Sequence, residues 1–307
     1  MASTRILVLL DGSGRAEAIL PHALSLARMT GSDLTLLRVI TPPEPSGSVP
    51  ILVPERWYDD ERAWSQKYLS ATAQRLQGEG VSVHSEIVYG DAGDASISYI
   101  HQNADIHMVA LATRGRSTVG RWILGSVTEQ VMHATTQPLL LLHPHEHTGV
   151  ENPPISAAVY RSLIVPLDGS ALDEYALGYV RLFARPTQTK VVLVSISSTL
   201  HEDDLNDEQQ TPPPENEHQQ AQRAAYLARQ AEQLRTAAGL TVETEFAAGD
   251  SVAWVEHLTR QQRDVLVITP YRTHSDHLVL RFLHHMNIPV LLVSQERASV
   301  ESGQTAP

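Results

Sequence analysis

Residues 104–134 read ADIHMVALATRGRSTVGRWILGSVTEQVMHA, and this stretch combines three local patterns. The apolar run Ile106 to Ala112 has the length of a buried parallel strand. The segment from Thr113 to Leu124 carries two glycines and three arginines, and Gly125-Ser126 then opens a helical pattern. The stretch therefore predicts a strand, a loop large enough to surround a phosphate, and the start of a helix.

Such a loop is a favourable place for an anion. The first N–H groups of a helix lack partners, and the helix dipole adds partial positive charge there. Arg114, Arg116 and Arg121 supply charge that balances phosphate. A structural interpretation stays open beside this one, because Ser126 followed by Glu129 is a capping-box pattern.

Length and composition limit the classes of protein to consider. A chain of 307 residues predicts two domains, and a net charge of -12 argues against a nucleic-acid partner. The absence of cysteine excludes disulfides and thiolate chemistry. The opening MASTRILVLLDGS has too short an apolar run for a signal peptide or a membrane span, so a cytoplasmic protein without a membrane partner is expected.

The chain contains an internal repeat. RILVLLDGSGRAEAILPHALSLA, from Arg5 to Ala27, aligns with SLIVPLDGSALDEYALGYVRLFA, from Ser162 to Ala184, so that Asp11 matches Asp168. Where the first copy reads ATRGRSTVGRWILGSVTEQ, the second reads PYRTHSDHLVLRFLHHM, which is shorter and contains no glycine. Two copies of one domain are expected, and only the first keeps the loop.

Both copies alternate strand and helix patterns, which predicts an α/β fold with a parallel sheet covered on both faces. The first copy begins with a strand from Arg5 to Leu10 and one helix from Arg15 to Met29. Ligands of such sheets bind beyond the carboxyl ends of the strands, where the strand order reverses. Asp11 and the glycine and arginine loop are predicted to meet there, although an aspartate after a strand is also a common turn residue.

The predicted boundaries are a first domain over 1–146, a linker over 147–160, a second domain over 161–296 and a disordered tail over 297–307. The acidic, proline-interrupted insertion HEDDLNDEQQTPPPENEHQQ in the second copy is expected to be a mobile connector or a docking segment for an unknown protein partner. His143, His145 and His147 alternate, so they are either linker residues or a metal site.

These residues resemble the universal stress protein family, in tandem form, over nearly the whole chain. Nucleotide-binding members of that family carry G-x2-G-x9-G-[ST] after the fourth strand. Here Gly115, the nine residues after it and Gly125-Ser126 match, whereas Ala112 replaces the first glycine and places a methyl group near the ribose and phosphates.

The resemblance implies two Rossmann-like domains of the adenine nucleotide alpha hydrolase type, each with a five-stranded parallel sheet, packed as a pseudo-dimer. A homodimer is the other assembly expected. It implies ATP together with Mg2+ as the ligand of the first domain only. The residues that the resemblance assigns to ATP are Leu9, Asp11, Val39, Leu111, Ala112, Arg114, Gly115, Gly125, Ser126, Val127 and Thr128.

The sequence thus predicts an ATP-binding module of stress-response signalling, with one nucleotide per chain and no assigned catalytic residue. The stretch Gly12 to Gly14 lacks the third glycine of a dinucleotide fingerprint, because Glu17 stands there. Neither a phosphate-loop lysine nor a catalytic carboxylate pair is present, so hydrolysis is expected to be slow at most. The alternatives are a slow ATPase or nucleotidyl transferase that uses Asp11, and a nucleotide-free dimerisation scaffold.

Overall fold

The computed structural model describes residues 4–43, 53–113, 125–144, 154–196, 217–247, 251–271, 282–283 and 288–294. The chain divides into two compact units, Met1–Ala158 and Val159–Pro307. One copy of the sequence repeat lies in each unit. Among the described residues, no helix has both the length and the hydrophobicity that crossing a bilayer requires.

The first unit alternates strands and helices along the chain. Its strands are β1 (Arg5–Leu9), β2 (Asp33–Ile40), β3 (Val83–Tyr89), β4 (Ile106–Ala112) and β5 (Leu139–Leu142). Its helices are α1 (Gly14–Glu17), α2 (Leu20–Thr30), α3 (Glu55–Arg75), α4 (Ala92–Gln102) and α5 (Ser126–Ala134).

These strands form a parallel sheet in the order β3-β2-β1-β4-β5. From β1 the chain moves outward to β2 and β3, and it then returns to place β4 and β5 on the other side of β1. The strand order therefore reverses between β1 and β4. Ile6, Leu7 and Val8 of β1 are fully buried, as expected for a central strand with helices on both faces.

The single helix predicted over Arg15 to Met29 is wrong, because the structure breaks it into α1 and α2. The break lies at Ala18 and Ile19, and Pro21 stands in the first turn of α2. Proline lacks a backbone N–H and fits the first turn of a helix far better than its interior. Gly31 then ends α2 with a left-handed φ of 68°, a conformation that glycine adopts without steric cost.

The second unit repeats the architecture. Its strands are β6 (Ser162–Leu167), β7 (Lys190–Ser195), β8 (Thr241–Phe246), β9 (Val265–Pro270) and β10 (Val290–Val293). Its helices are α6 (Asp173–Phe183), α7 (Glu217–Ala238) and α8 (Ser251–Gln261). The sheet is parallel in the order β10-β9-β6-β7-β8, which is the topology of the first unit. The predicted fold class, two α/β domains with five-stranded parallel sheets, is confirmed.

Candidate functional site

The candidate site of the first unit lies at the carboxyl ends of β1 and β4. These strands are neighbours, with Val8 paired to Ala110, and they flank the point where the strand order reverses. Loops that leave two such strands diverge to opposite faces of the sheet and open a space between them. The sequence placed Asp11 after one strand and the glycine and arginine loop after the other, and the structure brings these two strand ends side by side.

Asp11 lies in a tight turn directly after β1 and is exposed to solvent. Its Oδ1 atom accepts a hydrogen bond from the backbone N–H of Ser13 at 2.9 Å, and Gly12 between them has a φ of +85°. The hydroxyl of Ser13 in turn accepts from the N–H of Ala16 at 3.1 Å and caps α1. The hydrogen bond to Ser13 fixes the direction of the Asp11 side chain, which is the turn role that the sequence suggested. The carboxylate is nevertheless exposed to solvent.

The first turn of α5 does not carry the capping box that the sequence suggested. Gly125 is the N-cap, with φ of −54° and ψ of 139°, and no side chain of the described residues caps the helix. Ser126 is the first helical residue, one position too late to act as the cap, and it is exposed. The capping-box interpretation is therefore wrong, because a cap must precede the helix to reach its first N–H groups.

The other predicted contacts on α5 differ in accessibility. Val127 is half-buried, whereas Thr128 is only 3% exposed and packs inside the unit. This distinction does not follow from the motif, which treats the first helical turn as one segment.

The predicted residues on the strands lie at three adjoining strand ends. Leu9 ends β1 and is half-buried, and Val39 is the penultimate residue of β2 and is also half-buried. Leu111 is 3% exposed in β4, and Ala112 ends that strand, half-buried and paired with Leu142 of β5. All four are apolar residues at or next to the carboxyl ends of β1, β2 and β4.

Two of the predicted ligand residues, Arg114 and Gly115, lie outside the described residues, together with the rest of the segment 114–124. The same holds for Arg116, Arg121 and the residues 145–153 that follow β5. The structure thus describes both ends of the predicted phosphate loop, at Thr113 and Gly125.

The alternating histidines were one suggested metal site. His143 lies at the end of β5 with its Nδ1 atom 3.1 Å from the hydroxyl of Thr113, which is 2% exposed. His145 and His147 lie outside the described residues. Within the part of the chain that the structure describes, no three acidic or histidine side chains are grouped as metal ligands.

An aromatic and cationic cluster beside Asp11 was missed at the sequence level. The Trp64 and Tyr68 rings of α3 stack at 5.5 Å with an interplanar angle of 5°, and the Arg38 guanidinium lies 4.7 Å from the centre of the Trp64 ring. The available signal was the spacing, because Trp64 and Tyr68 are one helical turn apart and Tyr68 adjoins the buried Leu69.

In the corresponding turn of the second unit, a second aspartate side chain accepts a backbone N–H of the turn. Asp168 accepts from the N–H of Ser170 at 2.8 Å, as Asp11 does from Ser13. Asp173 in addition is fully buried and accepts from the N–H of Gly169 at 2.8 Å. Burial raises the pKa of Asp173 to about 6, against smaller lowering effects from Tyr226 and from the Gly169 amide.

In the first unit the residue that aligns with Asp173 is Ala16, which has no polar side chain. The two turns therefore share an aspartate that accepts from a serine N–H and a glycine with φ of +85°. They differ in a second carboxylate, because Asp173 accepts from the glycine N–H of its turn and Ala16 at the aligned position cannot. This asymmetry was not predicted, because an aspartate in a first helical turn is common for its interaction with the helix dipole alone.

The comparisons with known proteins agree with this architecture. Residues 3–143 match the model of the universal stress protein family. A universal stress protein of Mycolicibacterium smegmatis is 24% identical over 195 residues, which cover 62% of this chain and 62% of that protein, so the chain spans less than two thirds of this relative. A universal stress protein of Synechocystis is 24% identical over 157 residues, covering 46% of this chain and 99% of the relative.

Similarity in fold extends farther along the chain than the family match. A universal stress protein of known structure from Archaeoglobus fulgidus superimposes with a TM-score of 0.68, covering 95% of this chain and 96% of its own. Its sequence identity is 16%, so the likeness concerns the fold alone.

Proposed function

Since this chain belongs to the universal stress protein family through its N-terminal half, we propose that this half binds ATP and that the protein acts as a regulatory module of stress-response signalling. The observation that carries the proposal is the combination of two features that follow neighbouring strands, β1 and β4, along the chain. One is the exposed carboxylate of Asp11, and the other is the start of α5 at Gly125 and Ser126, which no described side chain caps.

The base end of the nucleotide is assigned to Asp11. A carboxylate oxygen accepts hydrogen bonds from an exocyclic amino group or a ribose hydroxyl, and the turn to Ser13 holds this carboxylate in place. Leu9, Val39 and Leu111 supply the apolar surface that a purine ring needs on the sheet side.

The phosphate end is assigned to the start of α5 and to the loop before it. The N–H groups of Ser126, Val127 and Thr128 belong to the first turn of a helix, where the dipole favours negative charge. Arg114 and Gly115 join them by the family motif. Because the chain carries a net charge of -12, the triphosphate needs local cations, and Mg2+ bound with it would supply further positive charge.

The second unit is assigned no nucleotide. Its segment after β9 lacks glycine, and Asp173 already accepts the Gly169 N–H in the turn after β6. A bound anion would have to approach that buried carboxylate, which is unfavourable at neutral pH. The expected stoichiometry is therefore one ATP per chain.

Calorimetric titration of the full chain with ATP and Mg2+ tests the proposal. We expect one site per chain and its loss in G125D, because the new carboxylate lies where phosphate is expected. G178D is the matched control, since Gly178 is an exposed position of α6 with open space around an added Cβ atom. Two equivalent sites, or no site in the wild-type protein, would contradict the proposal, and the latter would favour the scaffold.

The enzyme alternative makes a different prediction in the same samples. Accumulation of ADP or AMP over many turnovers, lost in D11N, would favour a slow ATPase or nucleotidyl transferase. Retention of intact ATP over the same time would favour a binding module.

A further inference from the structure

Trp64 is a large apolar side chain left half in solvent beside the candidate site. It is 47% exposed, although tryptophan gains more from burial than other side chains do. Its position is set by α3, which packs on β2 and β3. An exposed indole next to a binding cleft is a surface on which an aromatic ligand can bury apolar area.

The indole is held by contacts on several sides. Tyr68 stacks on it at 5.5 Å, and the Arg38 guanidinium lies 4.7 Å from its ring centre. Arg38 is itself fixed by a hydrogen bond to Ser65 at 3.0 Å. A side chain held in this way has already lost its rotamer freedom, so little further entropy is lost when a ligand packs against it.

The indole lies against the turn that carries Asp11. A Cβ atom added to Gly12 would lie 2.5 Å from the Cη2 atom and 3.1 Å from the Cζ3 atom of Trp64, so only glycine admits the ring at this distance. Burial, the nearby Glu17 and, to a smaller extent, the charge of Asp11 raise the pKa of Tyr68, which places the carboxylate close to the same stack.

The second unit has no such arrangement in its described residues. An added Cβ at Gly169 would meet nothing within 4 Å, and Gln222 and Ser195 stand where Trp64 and Arg38 stand in the first copy. Trp64 thus lies beside the turn of the first unit, which has no counterpart of Asp173.

We propose that Trp64 forms the hydrophobic wall of the base subsite, so that a purine held by Asp11 lies against the exposed part of the indole. The inference rests on the proposed ATP site and adds a residue that determines its preference for the base. A base placed there buries apolar surface of both partners, which favours binding.

The experiment compares MgATP with inorganic tripolyphosphate, which carries the phosphates without a base, in calorimetric titrations of the full chain. We expect W64A to bind ATP about tenfold more weakly and tripolyphosphate as the wild type does. W64F retains an aromatic ring and most of the ATP affinity. Y89A is the matched control, because Tyr89 is in the same unit and is also 47% exposed, and it is expected to bind both ligands normally.

Two results overturn the inference while leaving the ATP site intact. One is wild-type ATP affinity in W64A, and the other is an equal loss of ATP and tripolyphosphate binding in that variant. If W64A fails to fold, indole fluorescence decides, because ATP should change the emission of the wild-type protein more than that of W64F. An equal change in both overturns the inference, and a wild-type protein that takes up no ATP overturns it together with the proposed function.

Discussion

The guanidinium group of Arg38 in β2 donates a hydrogen bond from Nε to the hydroxyl of Ser65 in α3 at 3.0 Å. The second unit joins the same two elements by the reverse pair, because Arg223 of α7 donates to Ser195 of β7 at 2.8 Å. The repeat aligns Arg38 with Ser195 and Ser65 with Arg223. The contact is kept in both copies while its two ends are exchanged.

This exchange predicts a compensating pair of substitutions in the first unit. R38S and S65R should each destabilise the protein, since one removes the charged donor and the other adds a second arginine without an acceptor. The double variant R38S/S65R should recover about 1.5–3 kcal/mol relative to the sum of the single variants, which is typical of a hydrogen bond to a charged group. Urea denaturation followed by circular dichroism measures all four proteins.

Arg56 provides the control for this cycle. Arg56 lies on α3, as Ser65 does, and its side chain is 90% exposed. Its ion pair with Asp60 spans 3.8 Å at the surface. R56S should therefore change the free energy of unfolding little. Strict additivity of R38S and S65R would show that the exchanged pair is a coincidence of two unrelated contacts.

A second prediction compares the two glycines of the aspartate turns. Gly12 and Gly169 both have φ of +85°, so alanine at either position strains the backbone by about 1 kcal/mol. G12A should cost more than G169A, because its new methyl group also meets the ring of Trp64. Thermal unfolding of the two variants measures the difference. In a W64A background the extra cost of G12A should disappear, and its persistence would locate the clash elsewhere.

A third prediction separates the two aspartates. D11N should weaken ATP binding, because the amide replaces a charged acceptor with a neutral one while its oxygen can still accept from Ser13. D168N makes the same change in the same kind of turn and should leave ATP binding as it is. Equal loss of affinity in both variants, with unchanged folding, would place a nucleotide in each unit.

The repeat, the order of the strands and helices and the sheet class could be predicted from the sequence, because they follow from apolar periodicity. The bounds of β4 agree with the predicted strand from Ile106 to Ala112, and α5 begins at Ser126, where the helical pattern was predicted to open. The helix over Arg15 to Met29 was mispredicted because its apolar spacing continues through a break that Pro21 permits. Periodicity alone does not show where the backbone bonds of a helix are interrupted.

The candidate site was less predictable, because its details depend on contacts between distant segments. Trp64 meets Gly12 and Arg38 only after α3 packs on the sheet. The role of Asp173 depends likewise on its burial beside α7, which a first-turn acidic residue does not reveal. Asp11 was found because strand ends in parallel sheets are known ligand positions, a rule that needs only the order of the elements.

The carboxyl group of Asp173 makes the stability of the second unit depend on pH. Burial raises its pKa from 3.8 to about 6, while Tyr226 and the Gly169 amide lower it by smaller amounts and the nearby Asp168 raises it. Between these two pKa values, the Asp173 carboxyl group therefore binds more protons in the native state than in the unfolded chain. By linkage, this contribution to stability is present in full below about pH 4 and is lost as the pH rises through about 6.

We therefore expect D173N to remove this contribution to the pH dependence. The asparagine oxygen can still accept from the Gly169 N–H, now without the cost of a buried charge at neutral pH. Urea denaturation between pH 4.5 and 7.5 should show the wild-type protein losing about 2 kcal/mol of stability relative to D173N as the pH rises, for a shift of this size. D94N is the control, since Asp94 also lies in the first turn of a helix, α4, but is exposed, and the variant should keep the pH dependence of the wild-type protein. Parallel stability curves for the wild-type protein and D173N would mean that Asp173 ionises in the native state as readily as in the unfolded chain.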